Sequence, residues 1–401
     1  MSALEALTQQ LLDAARKAGA DSADALAVSG TSVSIDVLKG KLEHAERAEG
    51  IDIGLRVLIG QRQASVSASD TSEATIATMA ERAVAMAREA PEDPTAGLAA
   101  PDQLAKSWDV SALELDDPAP EPAPAALEDD ARRAEAAALA VEGVTQVQST
   151  SAGYGRRQIH LAATNGFSGG YARTDRALSL AAIAGEGPTM ERDYNGEGRL
   201  FQADLPSPEE IGRLAGERAA ARFGASQPPT GSFPVLFDER VSSSLIGHLL
   251  MAINGSSIVR GSSFLRDKLG AQVLPESLSL IEDALRPRLS GSRPFDGEGL
   301  PMRARTIVEH GRLTGWTLDL ATARKLGLQS TGNAARGTSA PPSPAVSNVM
   351  LTPGAASRDD LIRDMGTGLL VTSLIGSTVN PNTGDYSRGA SGFWVENGEI
   401  T

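Results

Sequence analysis

Apolar residues recur at three- and four-residue intervals through Leu4, Leu7, Leu11, Leu12 and Ala15, and Gly19 follows as a stop, so the pattern predicts an amphipathic helix over Ala3–Lys17. From Ala23 the period changes. Apolar and polar positions alternate through Ala25–Val37, Ile51–Ile59 and Gln63–Ser67, punctuated by Gly40, Gly50 and Gly60, as in an antiparallel meander. Helical spacing returns over Ser72–Glu89, with Ile76, Met79, Ala83, Met86 and Ala87 on one stripe. The order then repeats. A helix over Ala125–Val141 precedes strands at Val144–Ser151, Arg157–Thr164, Phe167–Thr174 and Ala177–Glu186, with Asn165-Gly166 as a hairpin turn. One sheet fed by both halves, with helices on one face, accounts for the repetition.

Seven prolines between Pro91 and Pro124, ending in Pro118-Ala119-Pro120-Glu121-Pro122-Ala123-Pro124, mark a surface linker or long loop. Ser207–Phe223 reads as a helix capped by Ser207, with Pro208 at its first position and Glu209 and Glu210 in its first turn. Pro228 and Pro229 lie in a glycine- and proline-rich boundary, so the expectation is an α+β protein of two domains. Residues 1–225 form an N-terminal α/β domain with an antiparallel-rich sheet, and residues 226–401 a C-terminal, mostly β domain. In the latter, a short strand at Phe233–Phe237 feeds a helix at Glu239–Ile253. No fixed period appears beyond it, which excludes a solenoid or propeller.

Composition narrows the chemistry. The chain has 401 residues, and its 37 Lys+Arg against 51 Asp+Glu give a net charge of −14, which disfavours a nucleic-acid partner. The longest apolar runs, Leu245–Ile253 and Gly368–Ile375, fall well short of the roughly 20 residues a membrane span needs. Met1–Glu5 lacks a basic segment followed by an apolar run, so a cytoplasmic location and no membrane partner are expected. There are no cysteines and four histidines, His44, His160, His248 and His310. A hydrolytic or metal site must therefore be built from these four and the carboxylates.

The segment Arg240-Val241-Ser242-Ser243-Ser244-Leu245-Ile246-Gly247-His248-Leu249-Leu250, followed by Ser262-Ser263-Phe264-Leu265, resembles the TldD/TldE (PmbA) family. So does the stretch from Val379 to Glu399, with Asn380-Pro381-Asn382-Thr383-Gly384-Asp385-Tyr386-Ser387-Arg388 at its start; it is similar to the TldE branch. The catalytic branch of that family carries His-Glu-x-x-x-His on this helix, where two imidazoles hold zinc and the glutamate acts on the bound water. The matching positions here are Ser243, Ser244 and His248, a degenerate motif without the first histidine and the glutamate. What the resemblance implies is a non-catalytic subunit of a zinc-dependent metallopeptidase, with no catalytic residue, metal ligand or cofactor of its own. Zinc would be held by a TldD-like paralogue, and the pair would enclose an extended peptide, unfolded or modified. The alternative is a self-contained homodimer that binds peptides or another ligand without cleaving them.

The residues themselves agree on the loss of the metal site. Serine is a poor zinc ligand, and a catalytic zinc wants three protein ligands. Ser243 and His248 are also about 140° apart around a helix of 3.6 residues per turn, which argues against a serine nucleophile activated by that histidine. Helix capping is the expected role of Ser242-Ser243-Ser244, and a packed, hydrogen-bonded side chain that of His248. Asn380, Thr383, Asp385, Tyr386 and Arg388 are candidates for a peptide cleft or interface; as plain structure they form a turn in which Asp385 pairs with Arg388. Gly366-Thr367-Gly368 lacks the Lys-Ser/Thr of a phosphate loop. His160, in a strand, and His310, at a turn, are expected to face solvent, and His44 sits among mixed charges. Asp296-Gly297-Glu298-Gly299 reads as a flexible acidic loop, at most a weak cation site.

Overall fold

The structure, a computed structural model, describes residues 2–401, and for Ser377 and Thr378 the backbone alone; Met1, part of the N-terminal stretch considered above, lies outside the described residues. Its first element, α1 (Ala3–Ala18), opens on a capping box between Ser2 and Glu5 and stops at Gly19 in the left-handed region. There follow β1 (Ser22–Leu38), β2 (Lys41–Ile59), β3 (Arg62–Ala68), α2 (Glu73–Glu89), α3 (Pro124–Leu139), β4 (Val144–Ala163), β5 (Ser168–Ala184), β6 (Glu191–Arg199) and α4 (Pro208–Ala220). The six strands form one antiparallel sheet in the order β3-β2-β1-β4-β5-β6.

Alternation along β1 explains the layering. Its odd positions Ala23, Ala25 and Ala27 pack under α1 and α2, and Val33, Ile35 and Val37 pack under α3 and α4, so all four helices cover the same face. Even positions, among them Asp24, Leu26 and Val28, fall on the opposite face. There Leu26 and Val28 join Ile159, Leu161, Phe167 and Phe295 in a separate cluster. Small alanines dominate the helix contacts, and α4 comes so close to α3 that a Cβ on Gly212 would lie 2.0 Å from the carbonyl oxygen of Ala134.

Two expected strand pairs are in fact single long strands. Val144–Ser151 and Arg157–Thr164 are both β4, and Phe167–Thr174 and Ala177–Glu186 are both β5. Gly155, read along the chain as part of a break, continues the strand: a Cβ there would sit 2.7 Å from the Asp175 carboxylate on β5, so its glycine answers a cross-strand neighbour. The proline-rich segment has a single 3-10 turn, Ser111–Leu113, yet it is no loose linker. Leu113 and Leu115 are buried, and the carbonyl of Leu115 accepts from the Thr174 amide at 3.0 Å.

Where the proline pattern divides the chain once, between residues 225 and 226, the chain in the structure returns twice to the first unit. Ala284–Arg303 and Ala334–Ser343 belong with the residues up to Gly224, and the second unit is Ala225–Asp283, Ala304–Asn333 and Pro344–Thr401. Phe295 shows what holds the first return in place: its ring lies 5.0 Å from Trp108, 4.9 Å from Phe167 and 5.7 Å from Tyr171.

The second unit has its own core of Ile253, Ile258, Leu280, Ile307, Val308, Leu313, Trp316 and Leu318. An antiparallel sheet of Leu280–Glu282, Arg305–Glu309, Arg312–Leu313 and Val349–Leu351 contributes to it. Beneath lies an internal ion pair: Arg305 Nε donates to Glu282 Oε2 at 2.6 Å, while Glu282 Oε1 accepts from Asn333 Nδ2 at 2.8 Å and from Ser347 Oγ at 3.0 Å. Every oxygen of that buried carboxylate has a donor.

Candidate functional site

In the second unit, β7 (Val235–Phe237) runs parallel to the strand Gly368–Val379, with Val235 opposite Leu369. It leads directly into α5 (Glu239–Ala252), capped by Asp238, whose carboxylate accepts from the Arg240 amide at 3.2 Å. The three serines expected to cap this helix lie inside it. Ser242 Oγ donates to the Glu239 carbonyl at 3.3 Å and Ser244 Oγ to the Val241 carbonyl at 2.6 Å, while Ser243 is exposed. Asp238 already occupies the position that faces the free amides, so the hydroxyls turn back onto their own helix.

His248 lies about one turn further on. Its ring stands 5.5 Å from that of Tyr386, at an interplanar angle of 59°. Both ring nitrogens are buried and neither has a hydrogen-bond partner among the described residues. The expected packing is present and the expected hydrogen bond is not. Nor does any hydrogen bond among the described residues join Ser243 or Ser244 to His248.

Tyr386 opens the strand Tyr386–Glu396, which pairs antiparallel with Gly368–Val379. Asn380 builds the connection. Its amide donates to the Asp385 carbonyl at 2.9 Å, its carbonyl accepts from Gly384 at 2.8 Å, and its side-chain oxygen accepts from the Asn382 amide at 3.0 Å. Thr383 Oγ1 donates to Asp385 Oδ2 at 2.6 Å. This replaces the expected pairing of Asp385 with Arg388, whose Nε is buried without a partner. Thus Asn380, Thr383 and Asp385 shape one turn, and His248 and Tyr386 meet beside it. α5 itself is thinly covered. Of its residues only Ala252 is fully buried, and Leu245 and Met251 remain 37% and 57% exposed, as Ile375 on the neighbouring strand is 71% exposed.

A zinc site does not fit here. His248 is the one imidazole on α5, its neighbours on the helix at the motif positions are hydroxyls, and its ring faces a phenol. Among the described residues no group of three or more His, Cys, Asp or Glu side chains could hold a metal ion.

The other histidines divide. His310 is exposed at a turn, with φ of 46°, and His44 is exposed on β2, 3.6 Å from Glu46. His160 is instead buried, because its position on β4 has the parity of the helix-covered face; Nδ1 lies 2.9 Å from Thr8 Oγ1 of α1. Burial holds its pKa below the ordinary imidazole value.

The face of the sheet opposite the helices carries a buried charge cluster that sequence reasoning did not find. Arg56 Nε donates to Asp24 Oδ2 at 2.8 Å, and Arg336 pairs with the other oxygen of the same carboxylate. Burial pushes the Asp24 carboxyl up, but Arg336 and Arg56 outweigh it and hold the group below the usual carboxylate range. Close by in sequence to the aromatic anchor Phe295, Asp296 is also buried. It is no flexible loop residue, since its carboxylate accepts from the amides of Glu298 and Leu300, each at 2.9 Å, and of Ala334 at 3.1 Å. Burial dominates those hydrogen bonds and pushes its pKa up to about 6. The one signal along the chain was a lone aspartate inside the apolar run Ala23-Asp24-Ala25-Leu26-Ala27; the partners lie 32 and 312 residues away.

The fold has two α+β units, and in the second a short parallel strand feeds the helix that carries Ser243, Ser244 and His248. Models of the PmbA/TldA metallopeptidase match three stretches of the chain: domain 1 over residues 23–87, the central domain over 116–223 and the C-terminal domain over 230–401. Metalloprotease PmbA of Escherichia coli O157:H7 is 37% identical over 382 residues, covering 95% of this chain and 82% of that protein. A metalloprotease PmbA homolog of Haemophilus influenzae is 35% identical over 97% of this chain and 84% of its own length. The solved structure of a proposed DNA gyrase modulator from Bacteroides thetaiotaomicron superposes with a TM-score of 0.91 at 27% identity, covering 99% of this chain and 88% of that one. TldE of Thermococcus kodakarensis shares the fold, with a TM-score of 0.82 at 21% identity over 98% of this chain and 89% of its own. The chain belongs to the PmbA/TldD metallopeptidase family.

Proposed function

We propose that this chain is the non-catalytic, TldE-like subunit of a zinc-dependent metallopeptidase, and that it completes a peptide cleft with a TldD-like, zinc-bearing partner. The observation that carries the reading is the set Ser243, Ser244 and His248 on α5: two hydroxyls and one imidazole without a hydrogen-bond partner, where a catalytic site needs three ligands and a base. The exposed apolar side chains Leu245 and Met251 of α5 and Ile375 of the strand Gly368–Val379 support a partner at that helix, since it could bury apolar surface that this chain leaves uncovered. An extended, unfolded peptide would be held by main-chain hydrogen bonds, with little demand on its sequence. Asn380, Thr383, Asp385, Tyr386 and Arg388 are the residues of this chain offered to that cleft or interface.

The test is metal analysis and cleavage of an unstructured fluorogenic peptide, with this chain alone and after mixing with a TldD-like paralogue that carries the intact His-Glu-x-x-x-His. The expected result is no stoichiometric zinc and no cleavage from the chain alone, and chelator-sensitive cleavage from the mixture. Stoichiometric zinc with chelator-sensitive cleavage by the single chain would overturn the proposal.

A further inference from the structure

A cavity of about 360 Å³ opens on the face of the six-stranded sheet opposite the helices, wholly within the first unit. Leu26, Val28, Ile159, Leu161, Tyr171 and Phe295 supply its apolar wall. Arg336 supplies a charge. Its side chain is 2% exposed, and one end of the guanidinium pairs with Asp24, but its Nε and Nη2 are buried with no acceptor among the described residues. Two unsatisfied donors on a buried cation are costly unless an acceptor arrives from elsewhere. Asp24 cannot serve both arginines fully, because Arg56 takes one of its oxygens through two nitrogens.

The remaining charges on the lining set the valence of what can enter. Arg293 stands in favourable electrostatic contact with Asp296, whose oxygens are committed to backbone amides. Arg157, exposed at the rim, lies 3.8 Å from Asp175, and Asp52 at the rim is exposed too. A dianion such as phosphate would face Asp52 and Asp296 with a second charge that nothing on the wall calls for. A planar monoanion matches the two adjacent donors of one guanidinium, and the six apolar residues match an aliphatic or aromatic body beside it.

We propose that this cavity binds a carboxylate carried on an apolar body, with the carboxylate at Arg336 Nε and Nη2 and the body against Leu26, Val28, Ile159, Leu161, Tyr171 and Phe295. Two sources share that chemistry: the C-terminal residue of a peptide, and a free branched-chain acid. The site stands independently of the subunit role above, because it needs neither zinc nor a partner.

Titration calorimetry on the full chain, with Trp108 emission as a local readout through its contact with Phe295, tests it. The probes are N-acetyl-Ala-Ala-Leu with a free carboxylate, the same peptide as its C-terminal amide, and 4-methylpentanoate. The expected result is one site per chain for the acid peptide, with the amide weaker by roughly tenfold or more, as loss of a charge-assisted hydrogen bond implies. If 4-methylpentanoate binds as well as the acid peptide, the free acid suffices as ligand; if it binds much more weakly, the peptide end is the source. Arg336→Gln is expected to abolish the preference for acid over amide. Val28→Glu, which places a negative charge on the half-buried wall and spares the ion pair, is expected to weaken the acid peptide by a similar factor. Equal binding of acid and amide, absence of binding by all three probes, or unchanged binding by a folded Arg336→Gln or Val28→Glu protein would each overturn the proposal.

Discussion

Each unit buries an arginine–carboxylate cluster, and the two clusters differ in whether they are closed. In the second unit, Glu282 receives Arg305, Asn333 and Ser347, and Arg305 spends its other nitrogens on the Trp316 carbonyl at 2.9 Å and Thr317 Oγ1 at 2.9 Å. In the first unit, Asp24 is shared between Arg56 and Arg336, and Arg336 keeps two donors unspent beside a cavity. The closed cluster has the form of a structural tie. The open one has the form of a site, because desolvating a cation without completing its hydrogen bonds sacrifices stability that packing alone would recover.

Substitutions can break this contrast. Glu282→Ala leaves Arg305 buried without its counter-ion, and a loss of about 3–5 kcal/mol is expected in urea unfolding. Arg336→Gln, by contrast, leaves Asp24 paired with Arg56 and removes two unsatisfied donors, so its loss should be under about 2 kcal/mol by the same method. Comparable losses for the two variants would erase the distinction between closed and open clusters.

Acidity sharpens the comparison within the first unit. Asp296 is raised in the fold to about 6, so the folded state binds its proton more readily than the unfolded chain. Its contribution to stability therefore grows as pH falls from 7 towards 4, by about 2–3 kcal/mol for a shift of this size. Asp24 has the opposite sign: its lowered pKa adds stability at neutral pH that is lost only on acidification through that lowered value. His160, with its pKa lowered by burial, loses stability below about 6.5. Because Asp24 and His160 remain in both proteins, melting temperatures of the parent and of Asp296→Asn should diverge in favour of the parent between pH 7 and 4. Parallel curves would contradict the raised value.

The smallest effects separate His160 from His248. Thr8→Val removes the partner of His160 Nδ1, and about 1 kcal/mol should be lost. His248→Leu removes a ring whose nitrogens have no partner, so stability should stay within about 1 kcal/mol of the parent, on the stabilising side. A large loss from His248→Leu, measured by denaturant unfolding, would show that this imidazole is tied into the fold after all.

Much of the architecture was legible along the chain because it depends on neighbours in sequence. The stripe Leu4, Leu11, Leu12 and Ala15 defines α1, and the alternation from Ala23 to Val37 defines one face of β1. The gap left between Ser151 and Arg157 proved continuous strand, in which Gly155 answers a close cross-strand neighbour rather than a turn. The helix carrying Ser243, Ser244 and His248 was legible in position, as was the short strand that feeds it. Its cap was not, because Asp238 and the three serines are equally good capping residues and only the course of β7 into α5 selects among them.

By itself, then, the sequence determined most of the helices and strands, the absence of cysteine and the placing of Ser243, Ser244 and His248 on one helix. These are properties of single positions and of short periods. Tertiary structure alone decided that Ala284–Arg303 and Ala334–Ser343 return to the first unit, that His160 is buried, and that Asp24 meets Arg56 and Arg336. The physical reason is that a buried charge is recognised by its counter-ion and its solvent access. Both are set by residues 32 and 312 positions away that only the folded chain brings within hydrogen-bonding distance.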